Sequence, residues 1–322
     1  MSDCRNSSQV HLFAGGCGGT VAAIVTCPLE VLKTRLQSSG AVFHPVASGH
    51  AHLNVATSAG NLSTTGIGYL SSRPTGIIGC LRHMVKTEGF RSLYKGLGPN
   101  IIGVAPARAI YFAVYAKSSR FIIRSGTDKD SPLVHMCAGA SAGFITHTFT
   151  APIWFIKTRL QLNAQTRSTM KRVIRDVYQR EGIKGFYRGL SASYFGIIET
   201  IIHFVIYERL KRLLREYHKE HSADHADKNN VTDFMLAAGF SKSVASMCAY
   251  PHEVIRTRLR QEEHSGPRKY RSFFQTLFLV YKEEGRIGLY GGLGTQLVRQ
   301  VPNSAVMFMV YEAIMFTICS ND

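Results

Sequence analysis

The stretch Pro28-Leu29-Glu30-Val31-Leu32-Lys33-Thr34-Arg35-Leu36-Gln37 decides the fold, because it occurs three times in the chain. The second copy begins at Pro152 and reads Pro-Ile-Trp-Phe-Ile-Lys-Thr-Arg-Leu-Gln. The third begins at Pro251 and reads Pro-His-Glu-Val-Ile-Arg-Thr-Arg-Leu-Arg. Copies that recur at a spacing of roughly a hundred residues indicate a repeat architecture. We therefore expect three tandem repeats.

Each copy places a cation five residues after its proline, and the first and third copies place a glutamate between the two. Proline bends a helix, so opposite charges just beyond three such bends are well placed to meet in a ring and pair between neighbours. The alternative is a pair within one helix, such as Glu30 with Lys33, which is worth only a few tenths of a kcal/mol. The matched offsets in all three copies favour the ring.

The composition is that of a basic membrane protein. Of the 322 residues, 45% are hydrophobic and 18% charged, below the roughly 25% charged residues of soluble proteins. The net charge of +17 favours anionic partners, namely nucleic acid, anionic lipid or a phosphorylated small molecule. A mean hydropathy near zero is low for a membrane protein and fits helices that line a water-filled cavity.

Several other features carry no site. The seven cysteines are an odd number without a CxxC pair, so neither a disulfide scaffold nor a zinc site is expected. A loop over residues 38–75 holds His44, His50 and His52, but their spacing fits no metal-binding pattern, and we expect a solvated loop. The polar N-terminus predicts no signal peptide.

Each repeat contains two long apolar segments, which predicts an all-α membrane protein with six transmembrane helices. Small residues open the first segment of each repeat and allow close helix packing, for example Ala14-Gly15-Gly16-Cys17-Gly18-Gly19. The repeats are predicted at 9–125, 130–217 and 231–318, with a polar linker at 218–230. An amphipathic stretch such as 170–180 separates the two segments and predicts a helix on the membrane surface.

The surface helices are followed by Glu-Gly and then by an aromatic, basic and glycine sequence. The copies are Glu88-Gly89 with Tyr94-Lys95-Gly96, Glu181-Gly182 with Tyr187-Arg188-Gly189, and Glu284-Gly285 with Tyr290-Gly291-Gly292. A helix N-terminus beside a cation can bind an anion, so we expect an anionic, cardiolipin-like lipid there. The third copy lacks the cation.

These motifs resemble the mitochondrial carrier family over nearly the whole chain. The resemblance implies pseudo-threefold symmetry around a central cavity, transport by alternating access, and a location in the mitochondrial inner membrane. It implies neither enzymatic activity nor a cofactor or metal, and one pore per chain suggests a monomer. A nucleic-acid-binding protein, the other class compatible with the charge, needs a solvated basic face instead.

Two ion-pair networks follow from the resemblance. The network on the matrix side, the matrix gate, pairs Glu30 with Lys157 and Glu253 with Lys33, while Arg256 meets Trp154 where the family has an acid. Gln37 and Gln161 brace these pairs, and Arg260 departs from the glutamine. The network on the cytoplasmic side, the cytoplasmic gate, retains the charged residues Glu208, Lys211 and Glu312. The positions where their charged partners are expected hold Met315, Ala116 and Ser119, which carry no charge.

Within the family, Pro152-Ile153-Trp154 with Lys157 is similar to carriers of pyrimidine nucleotides and to relatives for NAD, FAD and folate. The amino-acid sequence around the motifs favours the pyrimidine nucleotide carriers. The expected function is exchange of UTP-, CTP- or TTP-type nucleotides, deoxynucleotides included. The alternatives are an NAD, FAD or folate carrier and a non-transporting adaptor of the inner membrane.

A nucleoside triphosphate needs buried cations for its phosphates and polar groups for its base. The cations near the level of a proline kink are Arg108, Lys242 and Arg299, and we expect them to contact phosphate. The polar groups at similar depth, expected at the base and ribose, are Glu199, Thr200, His203 and Gln300. Glu199 and His203 could instead pair with each other at i, i+4.

Overall fold

The described chain is helical from end to end. The computed structural model describes residues 8–38, 76–126, 132–163, 169–221, 226–261 and 269–320. Their helices are α1 (Ser8–Gln37), α2 (Gly76–Glu88), α3 (Leu97–Arg124), α4 (Pro132–Leu162), α5 (Met170–Gly185), α6 (Leu190–His221), α7 (Ala226–Arg260), α8 (Phe273–Leu289) and α9 (Leu293–Ser320). The predicted loop 38–75, with its three histidines, lies outside the described residues apart from Ser38.

The six long helices form a closed ring in the order α1, α3, α4, α6, α7, α9. The most extensive packing joins α3 to α4, α6 to α7 and α9 back to α1, and smaller contacts link α1 with α3, α4 with α6 and α7 with α9. Each repeat thus contributes two long helices joined by a short one. The predicted six-helix membrane fold with three repeats is confirmed.

Four of the ring helices are long and apolar enough to cross a membrane on their own, namely α1, α3, α6 and α9. Helices α4 and α7 carry more polar residues, such as Thr146 and His147 on α4 and Lys242 on α7, which suits positions beside a polar interior. Helix α6 extends to His221 and α7 begins at Ala226, so both helices run into the polar segment that was predicted as a linker.

The three motif prolines lie inside α1, α4 and α7. Proline removes a helical hydrogen bond and bends the axis, which brings the C-terminal parts of these helices toward one another. Contacts join α1 with α4, α1 with α7 and α4 with α7, although these helices are not neighbours around the ring. The bundle is therefore closed across its centre.

Glycines with positive φ let the second helix of each repeat approach the motif helix of another repeat. Gly96 has φ of +82° and Gly292 also has φ of +82°. A Cβ at Gly96 would lie 3.1 Å from the carbonyl oxygen of Lys157, and one at Gly292 would lie 3.1 Å from that of Lys33. Both the backbone conformation and the lack of space require glycine here.

Buried arginines tie each motif helix to the surface helix of its own repeat. The pairs are Arg35 with Glu88, Arg159 with Glu181, and Arg258 with Glu284. In the first pair, burial alone would raise the pKa of Glu88, but hydrogen bonds and charge from Arg35 and Lys95 outweigh it and hold that pKa below its ordinary value. The arginine that precedes the end of the motif thus anchors the short helix.

The pair in the third repeat provides a test of this anchoring. Arg258 is fully buried and bonds to both carboxylate oxygens of Glu284 at 2.6 Å. Glu284→Gln should destabilise the protein by about 3 kcal/mol, because removing one partner leaves the other charge buried and unpaired. The measurement is the unfolding midpoint of the purified protein in detergent.

The neighbouring Glu283→Gln is the matched control. Glu283 pairs with Lys269 at 2.6 Å, but both side chains are well exposed, 39% and 44%. Its loss should cost no more than about 1 kcal/mol. Equal losses for the two variants would contradict the anchoring role of Glu284.

Candidate functional site

A polar cavity of about 380 Å³ lies between the helices at the level of the three motifs. Its lining comes from α1, α3, α4, α6, α7 and α9, so all three repeats contribute. The charged residues in its wall are Glu30, Lys33, Lys157, Glu253, Arg256, Arg260 and Arg299. Five cations thus face two carboxylates, and the cavity is electropositive.

The two predicted pairs of the matrix gate form between different helices. Lys33 Nζ on α1 lies 2.5 Å from Glu253 Oε2 on α7. Lys157 on α4 forms an ion pair with Glu30 on α1. Glu30 also accepts a hydrogen bond from Arg299 Nη1 on α9 at 3.2 Å. Each pair joins two repeats, which a pair within one helix does not.

The glutamines that follow the cations form equivalent contacts on two sides of the ring. Gln37 Oε1 accepts from Thr257 Oγ1 at 2.8 Å, and its amide donates to Glu253 Oε2 at 3.4 Å. Gln161 Oε1 accepts from Thr34 Oγ1 at 2.9 Å. Gln37 therefore contacts the ion pair that it was expected to brace. Gln161 contacts Thr34, and its amide nitrogen has no hydrogen-bond partner within the described chain, so it does not contact the second pair.

The third side of the ring contains no acid. Arg260, at the glutamine position, donates to Thr158 Oγ1 and to the carbonyl of Trp154, each at 3.3 Å. Its other terminal nitrogen donates to Ser193 Oγ at 3.3 Å. Arg256 has no ion pair or hydrogen bond among the described residues. The ring is therefore closed by two ion pairs and, on the third side, by hydrogen bonds from Arg260 to uncharged oxygen atoms.

Trp154 occupies the position of the missing acid and is held on three sides. Its Nε1 donates to Thr150 Oγ1 at 3.0 Å, and Lys157 Nζ lies 5.0 Å from the centre of the indole. A cation over an aromatic face is attractive. On α3, the absence of a side chain at Gly103 makes room for Ile153 and for the edge of the indole.

A second polar network joins α6, α7 and α9 and contains four of the residues predicted to bind substrate. Lys242 Nζ lies 2.6 Å from Glu199 Oε1, which also accepts from Ser246 Oγ at 2.8 Å. Gln300 reaches Ser246 and Ser243, each at 3.5 Å. His203 bonds to Ser241 at 3.2 Å, so Glu199 and His203 each have a partner on α7.

The remaining predicted substrate residues differ in their surroundings. Arg299 lines the cavity and contacts Glu30. Arg108 and Thr200 are exposed and do not belong to the cavity wall, where α3 contributes Ala107 instead. The structure therefore brings Arg299 together with the matrix gate, and brings Lys242, Glu199 and Gln300 together with one another.

The residues of the cytoplasmic gate form no cross-helix ion pair within the described chain. Glu208 contacts Arg212 on its own helix at 3.8 Å, and Lys211 Nζ lies 5.9 Å from the centre of the Tyr207 ring. Glu312 is exposed, while Met315 is buried. In this conformation the ion pairs that follow the motif prolines hold one end of the bundle closed. At the other end, Glu208, Lys211 and Glu312 do not pair with residues of other helices within the described chain.

Sequence reasoning missed His147, Thr146 and Thr150, which line the cavity from α4. They precede Pro152 by two to six residues, so the signal was a row of polar side chains just before a kink in an apolar segment. Arg256 was placed in the matrix gate opposite Trp154, and Arg260 was noted only as a departure from the glutamine of the family. Their common cause, an acid that is missing opposite them, was the stronger signal.

One group of potential metal ligands occurs among the described residues. Carboxylate and imidazole atoms of Glu199, His252 and Glu253 lie within 4.8 Å of one another. Lys242 and Lys33 already neutralise the two carboxylates. The cluster is therefore satisfied by the protein's own cations.

The cations expected beside lipid phosphate bond within the protein. Lys95 Nζ donates to Glu88 Oε2 at 3.1 Å and to the carbonyl of Asn163 at 2.8 Å. Arg188 Nη1 donates to Glu181 Oε2 at 2.9 Å. Both cations thus extend the arginine–glutamate ties of their repeats.

Comparison with known proteins matches this architecture. The family model described as mitochondrial carrier protein matches residues 5–126, 128–218 and 227–321, one match for each repeat. Solute carrier family 25 member 36-A of Danio rerio is 51% identical over 97% of this chain and 98% of its own length. Solute carrier family 25 member 33 of Homo sapiens is 47% identical over 97% and 96%.

A more distant relative has a name that states its cargo. The mitochondrial pyrimidine nucleotide transporter RIM2 of Saccharomyces cerevisiae is 39% identical over 95% of this chain and 85% of its own length. Three family matches in register with three structural repeats, and these identities over nearly the full length, leave one conclusion. The chain belongs to the mitochondrial carrier family, a family of membrane transporters rather than enzymes.

Proposed function

We propose that this protein exchanges pyrimidine nucleotides between cytosol and matrix across the mitochondrial inner membrane, by alternating access. The observation that carries the proposal is the charge of the cavity, where five cations face two carboxylates. Such an excess of positive charge in a partly dehydrated space favours a ligand with several negative charges. A nucleoside di- or triphosphate has that charge.

The network of α6, α7 and α9 supports recognition of a base. Glu199, Gln300 and His203 offer hydrogen-bond acceptors and donors to a planar heterocycle, and Thr200 lies beside Glu199 in the sequence. Lys242 and Arg299 would contact the phosphates of the bound nucleotide, and Arg108 would contact them while the nucleotide enters the cavity. A phosphate at Lys242 would replace the carboxylate of Glu199 as its partner, which frees that carboxylate for the base.

The ion pairs support a role as the matrix gate. A ligand shifts an equilibrium between two conformations only by the difference in its affinity for them. A nucleotide phosphate near Lys33, Lys157 and Arg299 competes with Glu30 and Glu253 for the same cations, and thereby weakens the closed end. Pairing of Glu208, Lys211 and Glu312 across helices would then close the cytoplasmic side.

The name of the yeast relative supports pyrimidine nucleotides over NAD, FAD or folate. A non-transporting adaptor is less well supported, because a polar cavity with an excess of cations has no evident use in such a protein. We further propose that the carrier acts as a monomer, with one pore per chain. Its expected lipid partner is anionic and cardiolipin-like, bound at the glycine-containing ends of the surface helices.

Transport by the purified protein tests the substrate. Labelled UTP is offered to liposomes that contain the protein and are preloaded in parallel with UTP, CTP, ATP, NAD, FAD, folate or buffer. We expect uptake to require internal pyrimidine nucleotide, because an exchanger changes between its two conformations with a nucleotide bound in each direction. Uptake driven best by NAD, FAD or folate would replace the substrate assignment, and uptake driven by none would favour the adaptor.

The matrix gate is tested by removing both lysines. Lys33→Ala together with Lys157→Ala should abolish exchange, because Glu30 and Glu253 are then left without their partners and the closed end is destabilised. The initial rate of UTP exchange is measured.

The double variant Lys171→Ala with Lys282→Ala is the control. Both lysines are exposed on the short helices α5 and α8, and their loss removes the same charge from the protein. The control should retain the rate of the unaltered protein. Unchanged exchange in the first double variant would refute the role of these pairs as a gate.

A further inference from the structure

The cavity has a part whose charge is not balanced, on the side between α4 and α7. Arg256 and Arg260 lie one turn apart on α7 and both line the cavity. Arg260 is 4% exposed, and it donates hydrogen bonds to the neutral oxygens of Trp154, Thr158 and Ser193. Arg256 forms no ion pair or hydrogen bond in the described part of the chain, although its charge acts on the carboxylate of Glu253 one turn earlier on α7. The negative charge beside Arg256 is the carboxylate of Glu253, and it is already paired with Lys33.

The other two sides of the ring show that this is a departure. There the position after the cation is a neutral glutamine, Gln37 or Gln161, and the cation itself has a carboxylate partner. The third side lacks the carboxylate and adds a second guanidinium. His147 on α4 lies close enough to interact electrostatically with both arginines. Unpaired charge in a buried position is costly, so a stable arrangement needs an anion.

Unpartnered polar atoms in the same wall indicate where such an anion would lie. Thr146 Oγ1 has no hydrogen-bond partner in the described structure, although Thr146 is only 8% exposed. The Nε atom of Arg260 is unpartnered as well. Thr146 is one turn from Thr150, whose hydroxyl holds the indole of Trp154. A hydroxyl donor and two guanidinium groups thus line the same cavity.

The chemistry of these groups selects a phosphoryl group. Guanidinium groups offer planar pairs of N–H donors that match phosphate oxygens, and a terminal phosphoryl group carries enough charge for two of them. We propose that Arg256, Arg260 and Thr146 form a phosphoryl-binding subsite, and that the terminal phosphoryl group of the nucleotide takes the place of the carboxylate missing at Trp154. This inference rests on the proposed exchange of nucleotides and adds the element that distinguishes triphosphates from monophosphates.

The subsite gives the substrate a direct role at the matrix gate. A bound triphosphate brings negative charge to Arg256 and Arg260, beside Glu253 in the same cavity, and this charge competes with Glu253 for the surrounding cations, as the proposed opening of the matrix gate requires. A monophosphate of the same base brings less negative charge to the two guanidinium groups than a triphosphate does. Affinity should therefore rise with the number of phosphates.

Substitution of Trp154 tests the subsite, because an acid there would occupy Arg256 permanently. UTP, UDP and UMP are compared as external competitors of labelled UTP uptake into liposomes loaded with UTP. The unaltered protein should prefer UTP over UMP, and Trp154→Asp should lower that preference by about tenfold, as expected for the loss of a charge-assisted hydrogen bond. Trp154→Asn loses the indole equally but adds no charge, and should keep the preference.

Arg260→Gln keeps the test valid if the acid impairs folding. It introduces the residue that the other two repeats already have at this position, and it should likewise lower the preference for UTP over UMP. A preference that is the same in all these proteins would overturn the role of the nucleotide's phosphoryl group in this subsite.

Inorganic phosphate separates the two sources of a phosphoryl group. The unfolding temperature of each purified protein is measured with phosphate and with chloride at equal ionic strength. Stabilisation by phosphate that Trp154→Asp abolishes, with an unchanged nucleotide preference, would assign the subsite to free phosphate. Absence of both effects would overturn the subsite. If no nucleotide is exchanged by the unaltered protein, the proposed function fails, while the phosphate measurement still decides whether the subsite exists.

Discussion

The cross-helix ion pairs Lys33–Glu253 and Lys157–Glu30 are the contacts on which the closed end of the bundle depends. They join α1, α4 and α7 directly beyond the prolines that bend these helices. A charge in a membrane interior is stable only with a partner, so each pair fixes the separation and the rotation of two helices at once. Because the pairs lie between repeats, closing one end requires all three repeats to be in place.

The surroundings of the ion pairs restrict movement of the motif helices. Arg35, Arg159 and Arg258 tie each of them to the short helix of its repeat. Glycine at the start of α3 and of α9 allows those helices to touch the backbone beside Lys157 and Lys33. A displacement at the ion pairs is therefore passed to the surface helix and to the next ring helix. A change in the ion pairs that line the cavity can thereby move whole repeats.

Much of the fold could be predicted from the sequence, because the repeated motif places equivalent residues at equivalent points of three helices. The partners Glu30 with Lys157 and Glu253 with Lys33 followed from that symmetry and the family pattern. The arginine–glutamate ties did not, since Arg35 and Glu88 meet only where the short helix packs. Such a contact depends on tertiary structure that no local pattern records.

Depth along a helix was easier to predict than rotation about it. Arg108 follows Pro106 closely and was assigned to phosphate by depth, yet the cavity wall at this level contains Ala107. Lys242 and Glu199 were each predicted as substrate contacts, but their pairing across α6 and α7 depends on how these helices face each other. One residue of error along a helix turns a side chain by about 100°. The position of a residue along its helix therefore selects candidates for substrate binding, and only the packing of the helices decides which of them face the cavity.

A carrier must break its closed end in every cycle, so stronger closure is not an advantage in itself. A ring with three ion pairs would be more stable when empty, and the substrate would have to overcome all three. With Trp154 in place of an acid, one side is held by the neutral contacts of Arg260, which are long at 3.3 Å. The unbalanced cations of that side lower the stability of the empty state and raise the affinity for an anion. A substrate opens the closed end only to the extent that it binds the open conformation more tightly than the closed one, so a ring with two ion pairs instead of three requires a smaller difference in affinity.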